Sequence, residues 1–328
     1  MVACWLLVLG ISFLAASNIA KAMPERDSYP QIISHRGASG YLPEHSLPAY
    51  QLAIDLLSDY IEPDLCLSKD GVFVALHDLI LDDTTNVASF PEFQDRNTTK
   101  IIEGNTMSGF FVNDFTFFEL QQLRLNQRLP NRTTLYNSLF QIPTFASIIS
   151  LAQNSYSSTN RTVGIYVELK HPSYFRSLGY DMEDMLLTAL SDGGYLVSGP
   201  SVPNDLNQVL PVVIQSFDNS SLQYLRDKTS IPLVQLLEIQ PSSFWTPQNI
   251  AEIATYAQSV GPEKSYIGTL PFESGKELVD LIHSYGLFIH PWTFRADSGI
   301  LAPFNGDFEK EEAYFYCCLG TTTNYRNN

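Results

Sequence analysis

Positive charge is scarce in this chain of 328 residues, where 19 Lys and Arg stand against 35 Asp and Glu and the formal net charge is −16. That balance excludes a nucleic-acid partner, whose phosphates need a basic face. It also repels anionic small molecules at long range, so a site that handles phosphate has to carry its own local cations. Cysteine is nearly missing. Cys4 belongs to an N-terminal leader, which leaves Cys66, Cys317 and Cys318. An odd number that includes an adjacent pair offers no disulfide framework, because neighbours in sequence do not bridge without strain. Stability therefore rests on the core. Beyond the first residues no run is long and apolar enough to cross a bilayer, and neither an internal repeat nor a low-complexity stretch is present.

Hydrophobic residues make up 45% of the chain and charged residues 16%, enough to bury a core. The length suits a single large α/β barrel, for which roughly 250 residues is typical. Val2 to Ala16 is almost wholly apolar, and Ala20-Lys21-Ala22 places small residues at cleavage spacing. This reads as a signal peptide over residues 1–22, with a signal anchor as the alternative. The run is shorter than the ~20 residues that span a bilayer. Cleavage would leave a single domain, 23–328, with no stable membrane span. Sequons at Asn97, Asn131, Asn160 and Asn219 agree with a secreted glycoprotein.

Short β-like runs alternate with amphipathic helical stretches. The β-like runs are Gln31–Ser34, Tyr60–Leu65, Val163–Leu169, Pro211–Gln215, Pro232–Leu236, Ser265–Gly268 and Leu287–Trp292. Such alternation implies parallel strands with helices outside, closed as a barrel or doubly wound. Two stretches break the rhythm. Cys66–Val74, around Lys69-Asp70-Gly71, reads as a hairpin that leaves the sheet and returns. The segment 79–142 has no clean period and reads as an insertion at the mouth.

Four islands carry chemistry. The first runs from Ser34-His35-Arg36-Gly37 to Glu44-His45-Ser46, after the first strand. The others are Glu62-Pro63-Asp64, Leu76-His77-Asp78 and Glu168-Leu169-Lys170. Residues two apart on a strand share a face, so Glu62 with Asp64, and Glu168 with Lys170, point inward at the C-terminal ends of their strands. Three converging carboxylates repel one another unless a hard divalent cation, Mg²⁺ or Ca²⁺, neutralises them; the alternative is that they pair with Arg36 and Lys170. Arg36 and Lys170 are candidates to hold phosphate oxygens. His35 and His77 are left as the acid and base. His45, His171, His283 and His290 are given no part in the chemistry: His45 supports its loop, His283 sits on a helix and His290 is a packed strand residue.

These motifs, with Ser68-Lys69-Asp70-Gly71, Gln215-Ser216-Phe217-Asp218 and His290-Pro291-Trp292-Thr293, resemble the glycerophosphodiester phosphodiesterase family in its periplasmic and secreted form. The resemblance runs from about Gln31 to Leu319. It implies a TIM (β/α)8 barrel with an insertion after strand two. It further implies metal-dependent hydrolysis of a small-molecule glycerophosphodiester to sn-glycerol 3-phosphate and an alcohol. By position, Glu62, Asp64 and Glu168 would bind the metal, His35 and His77 would be catalytic, Arg36 and Lys170 would contact phosphate, and Phe217 and Trp292 would line the glycerol pocket. Other readings are a phospholipase D-like activity on lysophospholipids, or a catalytically weak secreted binding glycoprotein.

Two features depart from the family pattern. Pro63 falls inside an expected inner strand, where it removes a ladder donor, and predicts a local bulge. After the helix that ends at Leu319, the tail from Thr321 is short and polar. It predicts a barrel whose last strand is missing or replaced, with a gap between the first and seventh strands; the alternative is that the Thr-rich tail fills the gap as a crude strand.

Overall fold

A computed structural model describes residues 31–159, 161–195, 211–321 and 323–327. The expected leader and the sequon at Asn160 lie outside the described residues. The Asn97, Asn131 and Asn219 side chains are exposed. No helix among the described residues is long and apolar enough to cross a membrane.

The first strand, β1 (Gln31–His35), carries the β-branched pair Ile32 and Ile33. Helix α1 (Leu47–Asp55) starts where the Ser46 hydroxyl accepts a hydrogen bond from the Ala49 N–H, with Pro48 in its first turn. Its buried face is Ala49, Tyr50, Ala53 and Ile54. Burying Ile54 alone contributes about 1.5–3 kcal/mol. The second stave is broken at Pro63 into β2 (Tyr60–Glu62) and β3 (Asp64–Leu67). In place of the expected bulge, the ladder switches partners there. Before the proline the stave pairs β1; beyond it, β3 turns antiparallel onto β4 (Phe73–Ala75), with Cys66 opposite Val74. This is the hairpin expected around Asp70-Gly71.

The aperiodic segment holds its own two-stranded sheet, β5 (Thr98–Ile102) and β6 (Asn105–Gly109), joined at Glu103-Gly104. Both turn residues have positive φ, 50° and 83°, as a tight hairpin of this twist requires. The short α2 (Phe117–Leu120) is fixed by a reciprocal capping box between Thr116 and Glu119. Phe110, Phe111, Val112 and Phe115 sink into the main core, so this segment packs as part of the domain.

The barrel resumes after α3 (Phe145–Thr159) with β7 (Gly164–Leu169), α4 (Pro172–Ser177), α5 (Met182–Asp192) and β8 (Val212–Ser216). It continues through α6 (Asn219–Arg226), β9 (Leu233–Leu237), α7 (Pro247–Ala254), β10 (Ser259–Pro262), α8 (Lys264–Gly268) and α9 (Phe272–Ser284). It ends with β11 (Phe288–Ile289), β12 (Phe294–Arg295), α10 (Phe308–Ala313) and β13 (Thr323–Asn327). The expected strand at Ser265–Gly268 is helical. The Glu263 side chain accepts from the Ser265 N–H and starts a turn there. The strand is instead the inconspicuous Ser259-Val260-Gly261-Pro262. Its glycine is closely packed, because a Cβ on Gly261 would fall 2.7 Å from Leu236 Cδ2 and make that side chain shift.

The sheet order is β11-β10-β9-β8-β7-β2-β1-β13-β12. β11 and β12 belong to one run, so the order begins and ends on the same segment and the sheet closes on itself. The expectation of a gap beside β1 is corrected here. The tail pairs in parallel with β1, from Gln31 opposite Thr323 to Ser34 opposite Arg326, and β12 lies on its other side. The physical reason is that a ladder is made by backbone groups. Two unsatisfied edges draw in any chain that can reach them, and threonine favours the extended form. Inside the ring, Ile33, Tyr166, Val213 and Val234 come from four different staves and pack with Trp292 as one layer of barrel filling.

Candidate active site

Register sets the site. His35 lies opposite Glu62, Asp64 opposite Glu168, and Glu168 opposite Gln215. The chemistry-bearing residues of four staves therefore share one level at the C-terminal mouth. Glu62, Asp64 and Glu168 each offer an oxygen within 4.8 Å of the others, and all three are buried.

Each carboxylate is held from behind. Glu62 accepts from the Arg36 backbone N–H at 3.0 Å and from Gln215 Nε2 at 2.8 Å. Asp64 Oδ2 lies 3.0 Å from both Arg36 Nε and His45 Nε2. His45 is fixed in turn by the Tyr50 hydroxyl at 2.7 Å, so its role is more specific than loop support. Glu168 accepts from Lys170 Nζ at 2.8 Å. The ion pairs anticipated as the alternative reading thus exist alongside the cluster.

They do not relieve it. Burial first, then Asp64 and Glu168, hold Glu62 well above the usual carboxyl range. Burial pushes Glu168 up to about 7; Lys170 opposes this and Asp64 adds to it. Burial also disfavours charge on Asp64, but Arg36, Lys170 and His45 outweigh it and hold that group well below its usual value. Asp64 Oδ1 is buried and accepts no hydrogen bond. An all-oxygen trio under mutual repulsion, with one orphaned oxygen, fits a hard divalent cation.

His35 and His77 line one cavity of about 210 Å³ together with Arg36, Glu62, Glu168, Lys170, Phe217 and Trp292. Asp64 lies beneath that wall, so all nine residues singled out in the sequence come together. Burial and then Arg36 hold His35 well below its ordinary value. Burial, Arg36 and Lys170 lower His77 to about 3. Both rings are neutral near pH 7 and able to accept a proton. Phe217 and Trp292 meet edge to face at 5.7 Å, and the indole N–H donates to the Gly261 carbonyl at 2.7 Å. Beyond His77, Lys170 and Phe217 the cavity opens into a second chamber walled by Asp78, Glu103, His171 and Asp218. His171 bridges Asp78 at 3.2 Å and Glu103 at 2.9 Å, which ties the β5–β6 turn to the mouth.

Sequence reasoning placed Glu44 and Gln215 in motifs without giving them a role, and passed over Glu238, Arg128 and Arg295. The place of Gln215 in the cavity follows from extending the face of Phe217 along its strand. Arg128 lies in the aperiodic segment, where no pattern points to it.

Gly37 sets the turn that presents His35 and Arg36. Its φ is 79°, and a Cβ there would fall 2.7 Å from the Ala49 carbonyl carbon, a backbone atom that cannot step aside. Gly37→Ala is expected to cost roughly 1–3 kcal/mol of stability and to lower turnover by displacing both side chains. Thermal melts and kcat on the same preparation check this. A variant with wild-type melting and turnover would show that the turn is not under steric control.

The family model described as the glycerophosphoryl diester phosphodiesterase family matches residues 35–322. A glycerophosphodiester phosphodiesterase of Arabidopsis thaliana is 36% identical, over 92% of this chain and 84% of its own. One of Haemophilus influenzae is 31% identical, over 88% of each chain. Among solved structures, an Oleispira antarctica phosphodiesterase in complex with the product sn-glycerol-3-phosphate superposes with a TM-score of 0.60 at 19% identity, covering 91% of this chain and 93% of that one. The shared fold is the TIM barrel.

Proposed function

The chain belongs to the glycerophosphoryl diester phosphodiesterase family, and from that premise we propose that it hydrolyses glycerophosphodiesters to sn-glycerol 3-phosphate and an alcohol. It is a phosphoric diester hydrolase. The observation that carries the reading is the convergence of Glu62, Asp64 and Glu168 with His35 and His77 on one cavity.

Glu62, Asp64 and Glu168 would hold one Mg²⁺ or Ca²⁺, which when bound supplies positive charge for oxygens on the reacting phosphorus. Arg36 and Lys170 line the same cavity and bind phosphate oxygens. One histidine takes the proton of the attacking hydroxyl as the new P–O bond forms. The other, protonated once the substrate's anionic phosphate lies beside it, gives a proton to the alcohol oxygen as the old P–O bond breaks. The attacking hydroxyl is that of water, or the neighbouring hydroxyl of the glycerol with water opening the cyclic phosphate afterwards; either route needs both transfers. Phe217 and Trp292 pack against the glycerol carbons and keep water from that side.

The apolar leader over residues 1–22 and the exposed sequons support export of a glycosylated domain, 23–328. The segment 79–142, inserted after the second stave, supplies part of the mouth. A coupled assay for sn-glycerol 3-phosphate release from glycerophosphocholine, with and without chelator, tests the function. Release that stops on chelation is expected. Free choline from lysophosphatidylcholine, with no release from the glycerophosphodiester, would overturn the reading in favour of a phospholipase D-like activity.

A further inference from the structure

Glu44 has no part in the roles above, although it is only 2% exposed and lies against the phosphate-binding Arg36. A buried carboxylate costs free energy unless it is paired. Burial disfavours its charge, but Arg36 and then Arg128 outweigh burial and hold the group down at about 2. Both Glu44 oxygens lie 3.4 Å from Arg36 Nη1. Arg128 adds a second fork: its Nε lies 3.3 Å from one oxygen and its Nη2 3.4 Å from the other. Arg128 belongs to the inserted segment 79–142, and its neighbours grip the same loop between β1 and α1. Gln127 Nε2 donates to the Ser39 carbonyl at 3.2 Å, and Arg132 Nη1 donates to that carbonyl at 2.8 Å. The consequence falls on Arg36. Its Nε lies 3.0 Å from Asp64 Oδ2 while Glu44 takes its Nη1. Two fixed points set the plane of a guanidinium, which a lysine ammonium does not have. No hydrogen bond engages the remaining nitrogen, Nη2, among the described residues, and Arg36 lines the cavity.

We propose that Glu44 is a positioning residue: it fixes Arg36 Nη1, so that the guanidinium plane presents Nη2 to a phosphoryl oxygen, and through Arg128 it makes the inserted segment a brace for that grip. The proposal rests on the hydrolase reading. Glu44 touches no substrate atom and acts only through Arg36. Its removal therefore matters only while an arginine, with a plane to be set, stands at position 36.

A double-mutant cycle tests this with Glu44→Gln, Arg36→Lys and the two combined. It is read twice, as kcat/KM for glycerophosphocholine and as calorimetric affinity for inorganic phosphate. Glu44→Gln keeps the size and loses the charge, and is expected to lower kcat/KM on the order of tenfold or more. In the Arg36→Lys background the same substitution is expected to change it by no more than about twofold, because the plane it sets is gone. Glu44→Asp, which keeps the charge, should recover part of the loss. Losses that multiply in the combined variant would overturn the proposal, since Glu44 would then act independently of Arg36. Wild-type kcat/KM and phosphate affinity in Glu44→Gln would overturn it as well. If Glu44→Gln melts below the assay temperature, Arg128→Gln takes its place in the cycle. A loss of a few-fold that vanishes beside Arg36→Lys is then expected, and wild-type values or multiplying losses would again overturn the proposal. Failure of the hydrolase reading looks different: the wild type would turn over no glycerophosphodiester, while phosphate affinity still showed the same non-additive cycle.

Discussion

His35→Ala and His77→Ala are each expected to lower kcat by about 10²–10⁴, the scale of a lost general acid or base. Two proton transfers accompany exchange at phosphorus, one from the attacking hydroxyl and one to the departing oxygen. These are the two imidazoles that line the cavity. Burial and the nearby Arg36 lower both below the ordinary histidine value, so near pH 7 each ring can serve as base. Acid inactivation through these groups should therefore begin below the usual pKa of about 6.5. Substrate binding should change little, because phosphate is held by other side chains. His283→Ala, on the outer helix α9, should turn over as wild type does. Single-turnover rates across pH 4–8, an interval of about four units around that value, separate the two roles. Wild-type kcat in either of the two cavity variants would remove that histidine from the mechanism.

Chelation is expected to abolish turnover, and Asp64→Asn to weaken metal binding by at least the about 10–100-fold that loss of a mere outer-shell partner costs. The argument lies in the proton balance of the trio. Only Asp64 is held firmly ionised; Glu62 is pushed well up and Glu168 to about 7. A ligating carboxylate must be ionised, so metal binding expels protons. The sign follows: affinity is greatest above pH 7 and declines as pH falls through about 7, where Glu168 takes up its proton. Titration of Mg²⁺ and Ca²⁺ in two buffers of different ionisation enthalpy counts the protons released. Full activity in excess chelator, or binding without proton release at pH 6, about one unit below that midpoint, would refute the assignment. His45→Ala should weaken metal binding less than Asp64→Asn does, since it removes only the hydrogen bond that orients Asp64.

What the sequence determined by itself was local. The Ser-capped α1, the hairpin at Asp70-Gly71, the alternation of strands and helices, and the pairs Glu62/Asp64 and Glu168/Lys170 depend on spacing and on residues a few positions apart. Such patterns survive in one dimension. The period of a strand was even enough to bring nine site residues to one mouth, because in a parallel barrel the C-terminal ends of all staves meet at the same rim.

Tertiary structure decided the rest, wherever the deciding partner was far away in the chain. Ser259–Pro262 is a strand because β9 and β11 lie on either side of it, while its own residues are small and weakly patterned. The polar tail became β13 because closing the ring satisfies two edges at once, a demand that belongs to β1 and β12 and is invisible in the tail. Arg128 and Arg295, separated by most of the barrel, stand in one cavity with His35. Nothing local marks either arginine, since electrostatic crowding is a property of distances in space, and those distances exist only once the ring has closed.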